Sequence, residues 1–149
     1  PLGDDDGGET DALQTGDGEF NQLVRLDLSY AIPKSAFYAS LAGAFNHRTN
    51  GFSEEWHLRA EVGYVQPKFV AILKFATVQS LKNGETNGSA NGIFSNNLEF
   101  VSLIPELSYL FNDKWGATAN VGLALAGERV LASPNYSFGI FYNLRRNNS

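Results

Sequence analysis

Between residues 20 and 145 apolar and polar side chains alternate with a period of two, segment after segment, and the breaks between segments are by turns tight and long. A period of two places successive side chains on opposite faces of an extended strand. In 20–32, "FNQLVRLDLSYAI", Phe20, Val24, Leu26, Leu28, Tyr30 and Ile32 share one parity, and Asn21, Arg25, Asp27 and Ser29 share the other. Beyond a short corner, Phe37, Ala39, Leu41, Gly43 and Phe45 oppose Tyr38, Ser40, Ala42, Ala44 and Asn46. At 55–66, Trp56, Leu58, Ala60, Val62 and Tyr64 oppose Glu55, His57, Arg59, Glu61 and Gly63. The same pattern predicts strands at 68–80, 97–111, 114–127 and 135–145. Strands of roughly 10 to 14 residues exceed the ~5 to 6 usual in soluble sheets. They suit the ~9 to 11 residues with which a tilted strand crosses a bilayer.

The connections add a second regularity. "IPKS" (32–35), "QPK" (66–68) and "FNDK" (111–114) are short, whereas "NHRTNGFSE" (46–54), "SLKNGETNGSANGIFSN" (80–96) and "GERVLASPN" (127–135) are long and polar. Outer-membrane barrels have this asymmetry, with short periplasmic turns and longer extracellular loops. Tyr30, Phe37, Tyr64, Phe69, Tyr109, Phe111 and Trp115 all fall within a few residues of a short turn. They read as an aromatic girdle at one membrane interface.

Alternation alone does not say which face is inside. A soluble lipocalin-like binding barrel would turn the polar parity to water and stud it with Lys and Glu. Here that parity is mostly small: Ser40, Ala42, Ala44, Gly63, Ser108, Gly116, Thr118, Asn120, Gly122, Ala124, Ser137 and Gly139. Small side chains suit a confined interior. The charges on the same parity, Arg25, Asp27, Arg59, Glu61, Lys74 and Glu106, lie at similar distances from the short turns and sum to zero. Facing lipid, each Arg or Lys there would cost about 2–4 kcal/mol. Facing one another across a narrow lumen they can pair, either filtering a solute path or filling the interior and pinning the strand register. Pro105 breaks the pattern of the fifth strand, because it lacks a ladder N–H; it implies an edge or a bulge facing lipid.

Composition narrows the remaining classes. The 149 residues suit one domain, with 43% hydrophobic and 18% charged residues, so the chain is expected to fold. A net charge of −5 without any Lys/Arg run excludes a nucleic-acid footprint. There is no Cys, hence no disulfide or thiolate metal site, and no apolar run long enough for a transmembrane helix.

The expected fold is all-β, an antiparallel up-and-down transmembrane β-barrel with seven strands visible: residues 1–19 an extracellular loop, 20–145 the strands, 146–149 a periplasmic tail. With short turns periplasmic, the first and last strands both run inward. An even-stranded bacterial barrel then needs an outward strand before residue 20. The chain is therefore read as the C-terminal part of a larger barrel of about 8 to 14 strands, with Pro1–Gly3 ending a preceding strand. A first residue Pro1 without an export signal makes it mature, trimmed or a fragment.

"PLGDDDGG" followed by "LQTGDGEFN" resembles the extracellular loop of outer-membrane proteins of the phenol-degradation meta-pathway type, which carry a Pro-x-Gly-Asp segment and then a Thr-Gly segment before an alternating strand. By motif the resemblance covers residues 1–30. It implies a barrel moving small, often hydrophobic, compounds, without catalytic residues. The chain departs from the pattern in ending "RRNNS"; Phe141 and Tyr142 stand where a terminal aromatic signal is expected.

Other chemistry is weakly signalled. "DDDGGETD" has acidic residues but not EF-hand spacing, so it reads as a solvated loop. His47 and His57 invite an outer-membrane hydrolase reading, but neither sits beside a Ser on its strand face. The expectation is a passive outer-membrane channel for small solutes, with outer-membrane lipid and lipopolysaccharide around it and other outer-membrane subunits as potential neighbours. No catalytic residue, cofactor or metal is expected. The alternatives are a plugged structural or surface-interaction barrel, a lipid-modifying enzyme and a soluble binding barrel.

Overall fold

The computed structural model describes residues 20–84, 97–128 and 133–144. The predicted first loop, the resembling motifs before residue 20, most of the 80–96 loop, and the C-terminal tail lie outside the described residues. Seven strands form one antiparallel sheet in sequential order: β1 (Asn21–Ala31), β2 (Phe37–Arg48), β3 (Glu55–Val65), β4 (Phe69–Ser80), β5 (Glu99–Leu110), β6 (Trp115–Glu128) and β7 (Asn135–Tyr142). No helix occurs among the described residues. The sheet is not closed; β1 and β7 are its two edges.

The strands follow the alternation closely, with one extension that matters. Asn46, His47 and Arg48 do not begin a loop; they pair with Leu23, Gln22 and Asn21 and lengthen β2. At the other end of the sheet, the last strand stops at Tyr142, short of the expected 145. The short corners are locally determined. Lys34 takes a left-handed φ of 59° after Pro33, and Ser35 N–H donates to Ile32 O at 3.2 Å. Asn112 Oδ1 accepts from the backbone N–H groups of Lys114 and Trp115, at 2.9 and 3.0 Å, an Asx turn that starts β6.

Pro105 neither ends β5 nor lies at the sheet edge. It pairs with Leu73 of β4, and the β5–β6 ladder resumes in unchanged register on either side of it, Leu103 with Leu123 and Glu106 with Asn120. The expected bulge lies elsewhere, at Val101/Ser102, where Val101 faces Ala126 and Ser102 faces Ala124. β5 keeps Pro105 because its flanking pairs hold the register across the missing N–H.

Burial separates the two faces. The buried strand residues are Ala42, Ala44, Asn46, Glu55, Gly63, Val78, Gly116 and Gly122, and the register puts all of them on the polar, small-residue face. The other face leaves its large apolar side chains uncovered: Val24 is 75% exposed, Leu26 66% and Phe138 83%. Small-residue-face positions from β1 to β5 line one cavity, so that face is the concave one and the apolar surface is convex. The reason is steric, since glycine and alanine let neighbouring strands' side chains fold inward. A Cβ at Gly63 would stand 1.9 Å from the Tyr38 ring, and one at Gly116 2.3 Å from Phe141.

The hairpins are staggered in one direction. On the concave face, Ala31, Tyr38, Gly63, Ile72 and Glu106 share a ladder row; the next row runs Val65, Val70, Ser108 and Thr118, and the one after that Leu110 and Gly116. Each short turn thus lies one row beyond the previous one. A row step is about 6.7 Å along the strand and two strands span about 9.6 Å, so the turns align on a line inclined by roughly 35°. Closed barrels require a staggered register and tilts of about 35–45°.

Candidate functional site

The six charges expected on the inner face occur together on the concave side. Arg25, Asp27, Arg59, Glu61 and Lys74 line a cavity of about 530 Å³, together with Ser29, Ser40, Ser102 and Ile104. Glu106 joins them through Lys74, whose Nζ donates to Glu106 Oε2 at 2.9 Å. In ladder rows the six are not level. Arg25 lies in one row, Asp27 and Arg59 in the next, Glu61 and Lys74 in the third, and Glu106 in the fourth. That drift across β1 to β5 follows the stagger of the turns, so measured from the turns the charges form one belt.

Their pairing differs from an expectation of contacts across a lumen: the partners lie in one strand or in adjacent ones. Within β1, Arg25 Nε donates to Asp27 Oδ2 at 2.8 Å. Across β4 and β5, Lys74 bonds Glu106 diagonally rather than its direct opposite, Ile104. Glu61 accepts a hydrogen bond from the Tyr38 hydroxyl at 2.6 Å, a contact made possible because the Tyr38 ring lies across Gly63. Arg59 makes no ion pair and no side-chain hydrogen bond among the described residues; its cross-strand neighbours are Ala42 and Ala76.

The predicted aromatic girdle occupies the convex face at the short-turn end. Phe37 packs on Tyr64 with ring centroids 4.7 Å apart, Tyr64 on Phe69 at 5.9 Å, and Tyr109 on Phe111 at 5.8 Å. Trp115 stacks against Tyr142 at 4.8 Å, which adds Tyr142 to the row. Tyr30 stands on the same face at the β1 edge, 64% exposed. A second aromatic pair at the long-loop end, Phe45 and Trp56 at 5.0 Å, was not singled out from the sequence. Its alternation signal is the same, but it lies at no short turn. Phe37 and Phe45 are eight residues apart on β2. The apolar band between the aromatic pairs is therefore about 26 Å along the strand, or roughly 22 Å when projected on the normal to the line of short turns.

Sequence reasoning also missed a polar cluster at the long-loop rim. Glu55, whose side chain is only 8% exposed, accepts from Arg48 Nη1 at 2.6 Å and lies 3.2 Å from His57 Nε2. Asn46 Nδ2 donates to Asn21 Oδ1 at 2.8 Å, tying β1 to the same group. Ser53, fully buried, donates to Asn83 Oδ1 at 3.0 Å and receives the Ser80 hydroxyl at 2.7 Å. Glu54 accepts from Asn83 Nδ2 at 2.8 Å and stands 2.6 Å from His47 Nδ1. The His47 bond, then the Asn83 bond, hold the Glu54 carboxyl below the usual carboxylate range. These contacts fasten the 49–54 loop and the start of the 80–96 loop to the wall. Both histidines are engaged with carboxylates, and no group of three or more His, Cys, Asp or Glu residues is arranged to hold a metal among the described residues.

Comparison with known protein families, with curated proteins and with solved structures finds no match to this chain. Its function is therefore argued from geometry alone.

Proposed function

We propose that the chain forms part of the wall of a larger, even-stranded β-barrel in a bacterial outer membrane, and that the barrel passes small solutes along its charged concave face. The observation that carries this reading is the inversion of burial: large apolar side chains are uncovered on the convex face, while every buried strand residue, most of them small, lies on the concave face that also carries the charges. In water, so large an apolar surface is a liability; against lipid it is the required surface, and aromatic pairs at both ends mark the interfaces. The stagger supplies the tilt that barrel closure needs. The long-loop rim, with Glu55, Arg48 and Asn83 fastening the loops, would face outward and the short turns the periplasm.

A plugged barrel is the second reading, favoured by Tyr38, Phe141 and Asn135 folding over glycines on the inner face. Reconstitution of the full-length protein into planar bilayers separates the two. Stepwise current is expected, and its amplitude changes when Glu61 is neutralised; a silent but properly inserted barrel favours the plug. Membrane placement is tested separately, by labelling with a water-soluble maleimide. Arg59→Cys is expected to react and Leu58→Cys to resist, and reaction at Leu58→Cys alone reverses the two faces.

A further inference from the structure

The charged belt repeats one local arrangement with different outcomes. β1 carries Arg25 and Asp27 two residues apart on the concave face, and β3 carries Arg59 and Glu61 at the same spacing. In β1 the pair closes on itself, Nε to Oδ2 at 2.8 Å. In β3 it does not, because the Tyr38 hydroxyl holds Glu61 Oε1 at 2.6 Å from the short-turn side. The remaining candidates for Arg59 are also engaged: Lys74 holds Glu106, and Arg25 holds Asp27. On both neighbouring strands Arg59 faces alanine, Ala42 and Ala76. Arg59 therefore stands without an ion pair in a clearing within the 530 Å³ cavity, while Glu61, bound only by a neutral hydroxyl, keeps its own charge on the short-turn side.

The far wall of the same cavity has a different character. Phe100 and Ile104 of β5 line it on either side of Ser102. One strand, β4, lies between Arg59 and that wall, two strand spacings or about 10 Å in the pairing direction. An anionic head at Arg59 thus leaves room for a short apolar body reaching Ile104 and Phe100.

We infer that Arg59 is the selecting contact of this channel and that the cavity takes small organic monoanions with an apolar body, carboxylates of about six carbons being the size that spans ~10 Å. One unpaired guanidinium matches one negative charge, and it offers a planar fork to a carboxylate. A dianion would meet Glu61 and Asp27 as well. The inference rests on the channel reading above.

The test uses the full-length protein in planar bilayers of neutral phospholipid under a KCl gradient, with acetate, hexanoate and hexylammonium as probes. Chloride is expected to permeate in preference to potassium. Arg59→Gln lowers that ratio about sevenfold, because one charge at roughly 7 Å in a water-filled path changes the occupancy of each ion about 2.7-fold in opposite senses, and Arg59→Lys retains it. Hexanoate blocks the chloride current at concentrations where acetate and hexylammonium do not, and Arg59→Gln relieves the block. A conducting channel in which Arg59→Gln changes neither the ratio nor the block overturns the inference and leaves the channel standing. Absence of current from the wild-type barrel overturns both. Should Arg59→Gln fail to insert, Tyr38→Phe carries the same question, because it releases Glu61 to close on Arg59 as Asp27 closes on Arg25. It is expected to lower the chloride preference, and an unchanged ratio counts against the inference.

Discussion

At Gly63 the absence of a side chain is a packing requirement. A Cβ there would stand 1.9 Å from Tyr38 Cε1, so Gly63→Ala must push the ring aside and break the bond to Glu61. The expected loss is about 1–3 kcal/mol, that of a hydrogen bond to a charged group. Denaturant unfolding of the lipid-reconstituted protein checks it, and Tyr38→Ala in the same chain should absorb most of the effect. Gly43, on the convex face, has no heavy atom within 4 Å of a built Cβ. Gly43→Ala is expected to be neutral or to stabilise by up to about 1 kcal/mol, the entropy of a strand glycine. Glu54 gives a pH dependence at the same scale. Its folded carboxyl titrates below its unfolded value, so the contribution is present above the ordinary carboxylate range, near pH 4.3, and is lost as pH falls through the folded value. Amide protection factors at Glu54 and Asn83, taken relative to the intrinsic rate at each pH, should be high at pH 6 and fall on acidification below that range. Glu54→Gln should flatten the dependence.

At the scale of elements, period-two alternation was legible because each strand shows different chemistry to its two sides, and a register slip of one residue would exchange them. Hence the strands, the two faces and the aromatic row near the short turns all follow from position alone. Pairing within the charged belt did not, because it depends on diagonal contacts and on which neighbour is glycine. Glu61 goes to Tyr38 only because Gly63 leaves the space. The rim cluster was illegible for another reason: Ser53, Asn83 and Asn97 sit at loop ends without periodicity and meet only when the β2–β3 and β4–β5 connections come together. Pro105 misled because the rule against central prolines concerns a single N–H, whereas β5 is held by its whole ladder. The Lys74–Glu106 bond between β4 and β5 is the belt's test at this scale. Lys74→Met leaves Glu106, 18% exposed at its side chain, without its cation, and should cost about 1–3 kcal/mol. Replacing both, Lys74→Met with Glu106→Leu, is expected within about 1 kcal/mol of the parent. Two single losses that simply add in the double variant would mean the bond contributes nothing.

For the whole molecule, parity decides what closure requires. Strands alternate in direction through seven members, so β1 and β7 run the same way and cannot complete an antiparallel ladder with each other. If the sheet is part of the closed barrel proposed above, an odd number of further up-and-down strands stands between those edges, which gives an even total. The same geometry fixes what each face must meet once the wall is complete. Leu58, 43% exposed on the convex face, lies between the aromatic pairs, and Arg59 beside it points to the concave side. Leu58→Arg in the full-length protein is expected to cost about 2–4 kcal/mol when unfolding is measured in phospholipid vesicles, the depth-dependent penalty for a cation against hydrocarbon. Ala76→Arg, one strand away on the concave face, introduces the same charge beside Arg59 in a cavity open to water. Its effect should be smaller and should weaken as salt is raised, since water-exposed like charges are screened. If Leu58→Arg were tolerated and Ala76→Arg were the damaging change, the apolar face would be lined by something other than lipid, and the curvature that sets the whole functional reading would have to enclose a different interior.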